Sequence, residues 1–144
     1  MKVREMLRAK GQGVETIAAS EPVSRAIQAL TKMRIGALVV SPDGVRVDGV
    51  ISERDIVRGL ARYGAGLVDM SVKDVMSRDV PTCAPDDDVT MVMSEITHRR
   101  ERHMPVVQDS RLQGIVSIGD VLKSRLDDLE LQAAVMRDIT IARQ

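Results

Sequence analysis

Two serine–aspartate pairs are the residues of this chain best suited to chemistry. Ser52 precedes Asp55 by three positions and Ser117 precedes Asp120 by three, and the second pair follows the first at a constant offset of 65. Each pair sits in a similar heptapeptide, Gly49-Val50-Ile51-Ser52-Glu53-Arg54-Asp55 and Gly114-Ile115-Val116-Ser117-Ile118-Gly119-Asp120. Glycine and two β-branched residues read as a short buried strand, and serine with a carboxylate three residues on reads as a helix start. One reading is a capping box, in which serine and aspartate satisfy the first unpaired N–H groups of the helix. The other is a nucleotide site, because such N–H groups attract phosphate and a fixed carboxylate accepts both hydroxyls of a ribose. A lone copy fits the cap. Two copies inside the same larger pattern shift the balance toward the nucleotide and leave both readings open.

Other chemistry is poorly provided for. No nucleophile–base pair, metal cluster or acid–base constellation stands at a recognisable spacing, so neither catalysis nor a metal is expected. Cys83 is the one cysteine, which rules out an internal disulfide. Its apolar flanks suit a small buried residue, and a reducing, cytoplasmic location is expected. With 21 basic and 21 acidic residues the chain lacks the charge of a nucleic-acid or acidic-membrane binder. Tyr63 is its one aromatic residue, so no base-stacking platform can be built. Neither nucleic acid nor membrane is expected as a partner. The strongly apolar run Ile35 to Val40 is far too short to cross a bilayer, and Met1 to Leu7 lacks the apolar centre of a leader peptide.

The elements that must position the two pairs also come twice. Residues 3 to 8 read as a helical turn or two, broken by Gly11 and Gly13, and Val14 to Ala18 as a strand. Ser20-Glu21-Pro22 marks a helix start, with Val23, Ala26, Ile27 and Leu30 on one apolar face. Ile35 to Val40 is a buried strand, Pro42-Asp43-Gly44 a turn, and Val45 to Ile51 the returning hairpin partner. A helix then runs from Ser52 to about Ala61, before Gly64-Ala65-Gly66. In the second half Val72 to Met76 matches Val3 to Leu7, Val80 to Ala84 matches the first strand, and Pro85-Asp86-Asp87-Asp88 opens a helix bearing Val89, Val92, Met93 and Ile96. Met104 to Val107 is the next strand, Asp109-Ser110-Arg111 the turn, and Leu112 to Ser117 the return. The fold class is α+β, each half running strand-helix-strand-strand-helix. Neither half alone covers both faces of its sheet, so the two are expected to pack as one globule.

This ordered double set resembles two tandem CBS motifs, the repeat named after cystathionine β-synthase. The carrying residues are Val14 to Ile17, Arg34 to Val40 and Gly49 to Asp55, then Val80 to Cys83, Arg102 to Val107 and Gly114 to Asp120. The chain is similar to small stand-alone bacterial proteins made of one CBS pair, of the signal-transduction type. The resemblance implies motif one over residues 1–66, motif two over 67–125 and a helical extension over 126–144, with the motifs packed about a pseudo-two-fold axis. It also implies a regulatory module that binds an adenine nucleotide between the repeats, AMP first, with NAD(H) or ATP as alternatives, in energy or redox sensing. On that basis Ser117 and Asp120, with Ile115 and Gly119 of their motif, face an adenine wall from Gly13, Val14, Ile35, Gly36 and Ala37. Ser52 and Asp55, with Val50, face Val80, His103, Met104 and Pro105. Arg54, where the second motif has Gly119, gives the first site a cation, and Arg102 and His103 are placed to reach phosphate. His98, Arg99 and Arg100 read instead as a solvated helix C-terminus complementing the dipole. A competing reading keeps the CBS fold as an interaction scaffold without a physiological nucleotide.

After Asp120, the residues Leu122, Leu126, Leu129, Ala133, Met136 and Thr140 recur at alternating steps of four and three, a heptad-like seam. It either covers the chain's own surface or joins a second copy. CBS pairs commonly dimerise, so a homodimer is expected, together with an unidentified protein target that reads the signal.

Overall fold

The computed structural model describes residues 1–11 and 13–143. A short helix α1 (Val3–Lys10) ends at Gly11, whose left-handed backbone (φ 71°) returns its N–H to Leu7 O; glycine takes that conformation without a Cβ clash. Strand β1 (Thr16–Ile17), helix α2 (Val23–Met33), strands β2 (Ala37–Val40) and β3 (Gly49–Ser52) and helix α3 (Glu53–Tyr63) follow. Two 3-10 turns over residues 64–74 lead to helix α4 (Val89–Arg99), strands β4 (His103–Gln108) and β5 (Arg111–Ser117), and helix α5 (Ile118–Ala142). In the first sheet β1 pairs parallel to β2 and β2 antiparallel to β3; β4 and β5 form a separate antiparallel pair.

Four local expectations are corrected. Pro22 is itself the extended residue before α2, which starts at Val23 without a side-chain cap or an acidic first turn, so Glu21 lies outside the helix. The returning strand of the first hairpin starts at Gly49 rather than Val45. Asp43 Oδ1 accepts the N–H groups of Val45 and Arg46 at 2.9 Å each, and Ser41 Oγ accepts that of Gly44 at 2.8 Å. These side-chain turns consume donors a longer strand would need. The second repeat has no counterpart of β1, only a single bridge from Cys83 to Val106. Pro81 and Pro85 flank it, and neither has an N–H for a ladder. Arg111, read as turn, already belongs to β5; the tight corner is Asp109-Ser110 alone, both at positive φ (53° and 61°), as a two-residue hairpin requires.

Packing crosses the midpoint of the chain. Val3 and Met6 of α1 are buried not with the repeat that follows them but with Val89, Val92, Ile96 and Met104 of the second. Backbone bonds tie them there, from Val3 N to Asp87 O at 2.9 Å and from Val89 N to Met1 O at 3.0 Å. A side chain at Gly114 would collide with Leu7. Leu67 and Val72, at the start of the second half, are in turn buried with Val23, Leu30, Leu38 and Ile51 of the first. Each core is completed by the segment leading into the other, which holds the two halves together and fixes the clefts between them.

Beyond its first two turns the last helix does not cover the chain's own surface. Val121 and Ser124 of α5 are buried, but Leu122, Leu126, Leu129 and Met136 are all more than half exposed. Ala133 and Thr140 are exposed with them. Among the described residues no helix is long and apolar enough to cross a membrane, and no group of histidine, cysteine and carboxylate residues is placed to hold a metal ion.

Candidate functional site

Both serine–aspartate pairs form complete capping boxes. Ser52 Oγ accepts the Asp55 N–H at 3.3 Å while Asp55 Oδ2 accepts the Ser52 N–H at 2.9 Å. Ser117 Oγ and Asp120 Oδ2 repeat the exchange at 3.1 and 2.9 Å. A further first-turn amide of each helix is tied to the entry of the neighbouring strand in its own repeat, Glu53 N to Gly36 O at 3.0 Å and Ile118 N to Arg102 O at 2.8 Å. Capping is therefore realised in both turns, and little N–H capacity remains there for phosphate.

The two carboxylates differ in what they leave free. Asp55 is 7% exposed, and its other oxygen, Oδ1, accepts the Ser77 hydroxyl at 2.9 Å. Asp120 is more open: Oδ2 also accepts the Lys10 ammonium at 2.9 Å, and Oδ1 has no partner among the described residues. Burial works against ionising Asp120, yet the Ser117 N–H and the Lys10 ammonium together hold it below the usual carboxylate range.

Each turn opens on a cavity of about 320 Å³, within the range of small-molecule sites. The Ser117 cavity brings Ser117, Asp120 and Ile115 of the second repeat against Gly13, Val14 and the Ile35–Ala37 strand entry of the first. The Ser52 cavity brings Val50, Ser52, Arg54 and Asp55 against Val80, Arg102 and His103. Three expected residues line neither. Met104 is 1% exposed in the second core, and Pro105 is buried in β4, so the cleft that His103 reaches is closed to both. Gly119 is exposed in the first turn of α5.

His103 and Gly36 line both cavities. A Cβ on Gly36 would stand 3.0 Å from His103 Nε2, so the missing side chain lets the imidazole fill the partition. Burial first, then the Lys10 ammonium, push the His103 pKa down; Asp120 and Glu53 oppose this without reversing it. The ring is therefore neutral near pH 7.

Sequence reasoning missed several cavity residues. Arg99 and Arg100 line the Ser52 cavity, as does Arg58; Arg58 lies one helical turn beyond Arg54, a spacing legible in the sequence. Lys10 and Arg34 line the Ser117 cavity, and only the exchange of α1 onto the second core brings Lys10 there. Cys83 is buried, and burial and then Asp87 push its thiol up to about 12, so it is inert at neutral pH.

The family profile of the CBS domain matches residues 4–62 and 72–127. The chain belongs to the CBS-domain family. Its two repeats form a CBS pair 38% identical to the CBS-domain containing protein of Agrobacterium tumefaciens, with a TM-score of 0.82 over 87% of this chain and 99% of that one. A CBS domain protein of Pyrobaculum aerophilum, solved in complex with AMP, is 25% identical with a TM-score of 0.77, over 92% of this chain and 99% of that one. A mitochondrial CBS domain-containing protein of Arabidopsis thaliana is 30% identical over 130 residues, 85% of this chain and 63% of that protein. The chain thus spans less than two thirds of that curated relative's own length.

Proposed function

We propose that this CBS pair is a regulatory module that binds adenine nucleotides in the two clefts between its repeats, and that it is not an enzyme. AMP is the leading ligand, with NAD(H) and ATP as alternatives, and the output is energy or redox sensing by a cytoplasmic homodimer acting on a protein target. The observation that carries the reading is the Ser117 cavity. There Asp120 keeps a carboxylate oxygen without a partner among the described residues, beside an aliphatic wall contributed by the other repeat. With no tryptophan or phenylalanine in the chain, such a wall sandwiches adenine and backbone groups read its edge. The complex of the Pyrobaculum aerophilum relative with AMP supports the same ligand class.

A thermal-shift panel of AMP, ADP, ATP, NAD⁺, NADH and S-adenosylmethionine tests it. A ligand that binds the native state alone raises the melting temperature, by about 2.7 kcal/mol of added stability at a hundredfold excess over Kd. At least one nucleotide at millimolar concentration is expected to do so. No shift from any of them would leave the scaffold reading in its place.

A further inference from the structure

The two clefts carry different charge. Five arginines line the Ser52 cavity: Arg54 and Arg58 from α3, Arg99 and Arg100 from the end of α4, and Arg102 from the entry to β4. The acidic groups there are Glu53, Asp55 and Glu101, and both oxygens of Asp55 are already engaged by Ser52 and Ser77. His103 is neutral, so the wall has two formal positive charges in excess, five basic groups against three acidic. The Ser117 cavity is balanced, with Lys10 and Arg34 against Glu15 and Asp120, and Lys10 is bound to Asp120.

The arginines are also left available. Arg99 pairs with Glu95 and Arg54 donates weakly to the Arg100 carbonyl at 3.4 Å. Arg58, Arg100 and Arg102 make no ion pair among the described residues. Gathering five guanidinium groups around one cavity against three carboxylates raises the free energy of the empty protein, and an anion there relieves it. Arg100 adds backbone strain, since it ends α4 in the left-handed region (φ 58°), where glycine is the unstrained choice. A single phosphoryl group brings about two negative charges to one point of the cavity, whereas the five guanidinium groups are spread over α3, the end of α4 and the entry to β4. A chain of phosphates can engage groups spread in this way.

We propose that the Ser52 cavity is selective for a polyphosphate tail and takes a nucleoside triphosphate, whereas the Ser117 cavity takes an adenine ligand with at most one phosphate. This rests on the reading of both clefts as adenine-nucleotide sites. Titration calorimetry in magnesium-free buffer at fixed ionic strength tests it on the full chain, with ATP, AMP, adenosine and inorganic tripolyphosphate as probes. The tightest ATP site is expected to exceed AMP by at least about tenfold, and Arg100→Gly and Arg58→Gln each to weaken ATP by about 10- to 100-fold. Both are expected to leave adenosine nearly unchanged. Arg100→Gly also relieves the left-handed backbone, so it should melt no lower than the parent, and lost affinity cannot be lost folding. Arg46→Gln, an exposed loop change outside both cavities, controls for overall charge and should leave ATP within about twofold.

Equal affinity for ATP and AMP, or arginine variants that bind ATP like the parent, would overturn the proposal while leaving AMP binding and the adenine reading intact. Tripolyphosphate is expected to compete with ATP and to lose affinity in the same variants. If tripolyphosphate matches ATP while adenosine and AMP fail to bind, the selectivity for a phosphate chain holds, its source is inorganic polyphosphate, and the adenine reading falls.

Discussion

The Lys10 ammonium lies 2.9 Å from Asp120 Oδ2 and 3.0 Å from the Ile115 carbonyl oxygen. At the pseudo-symmetric Asp55 no lysine is paired among the described residues; the Ser77 hydroxyl donates instead to the other oxygen, Oδ1, at 2.9 Å. Both carboxylates line a cavity, but Asp120 is paired with a cation while Asp55 has both oxygens held in a network of serine hydrogen bonds. Two aspartates that look equivalent along the chain therefore have different work.

Exchanging each for asparagine separates them. Asp55→Asn leaves a buried amide facing donors that its carboxylate satisfied, at a cost of about 1–3 kcal/mol. Asp120→Asn loses a partly exposed pair worth under about 1 kcal/mol. The expected outcome is a melting temperature clearly lowered for Asp55→Asn and barely moved for Asp120→Asn, with Asp120→Asn losing most of one nucleotide site in calorimetry. Equal melting temperatures for the two would show that the Ser77 bond contributes nothing.

The His103 partition makes stability depend on mild acid. The unfolded chain takes up a proton at this residue near about pH 6.5, while burial and Lys10 push the folded value lower. Between the two the unfolded state holds more protons, so this contribution is complete above the unfolded value and is lost as pH falls toward the folded one. Melting temperatures from about pH 8 to 5 should fall more steeply for the parent than for His103→Gln. Parallel curves would place the titration elsewhere.

Gly49→Ala should be among the most damaging single changes. The new Cβ would collide with the Ser77 carbonyl, which accepts the Val50 N–H at 2.9 Å while Ser77 N returns a 2.9 Å bond to Val50 O. The obstacle is backbone rather than a side chain that can swing away, so a loss of roughly 3 kcal/mol or more is expected from denaturant unfolding. Gly13→Ala, whose Cβ would meet nothing within 4 Å, is the matched control and should change little.

The exposed stripe of α5 predicts self-association. Leu126 and Leu129 are 59% and 55% exposed, and a contiguous apolar surface of this kind is rare on a monomer. Light scattering should return a mass near twice 15.8 kDa for the parent, and near the monomer value for Leu126→Glu with Leu129→Glu, without loss of the core melting transition. A monomeric parent would remove the homodimer from the proposal.

The duplicated motifs, the buried strand through Leu38 and Val39, and both capping boxes were legible in the sequence. They depend on contacts within about four residues and on the period of apolar side chains. The shortened β3 and the missing counterpart of β1 were half legible, in Asp43 and in Pro81 with Pro85, because turn chemistry and absent donors outweigh strand propensity locally. Tertiary structure alone decided the rest. It carried α1 across to the second core, which set Lys10 beside Asp120, and it brought Ser77 to Asp55. It also drew Arg99 and Arg100 from an apparently solvated helix end to the wall of a cavity. Those relations join residues far apart in sequence, and the burial of Val3 and Met6 that enforces the first of them fixes where α1 docks only once the second core exists to receive it.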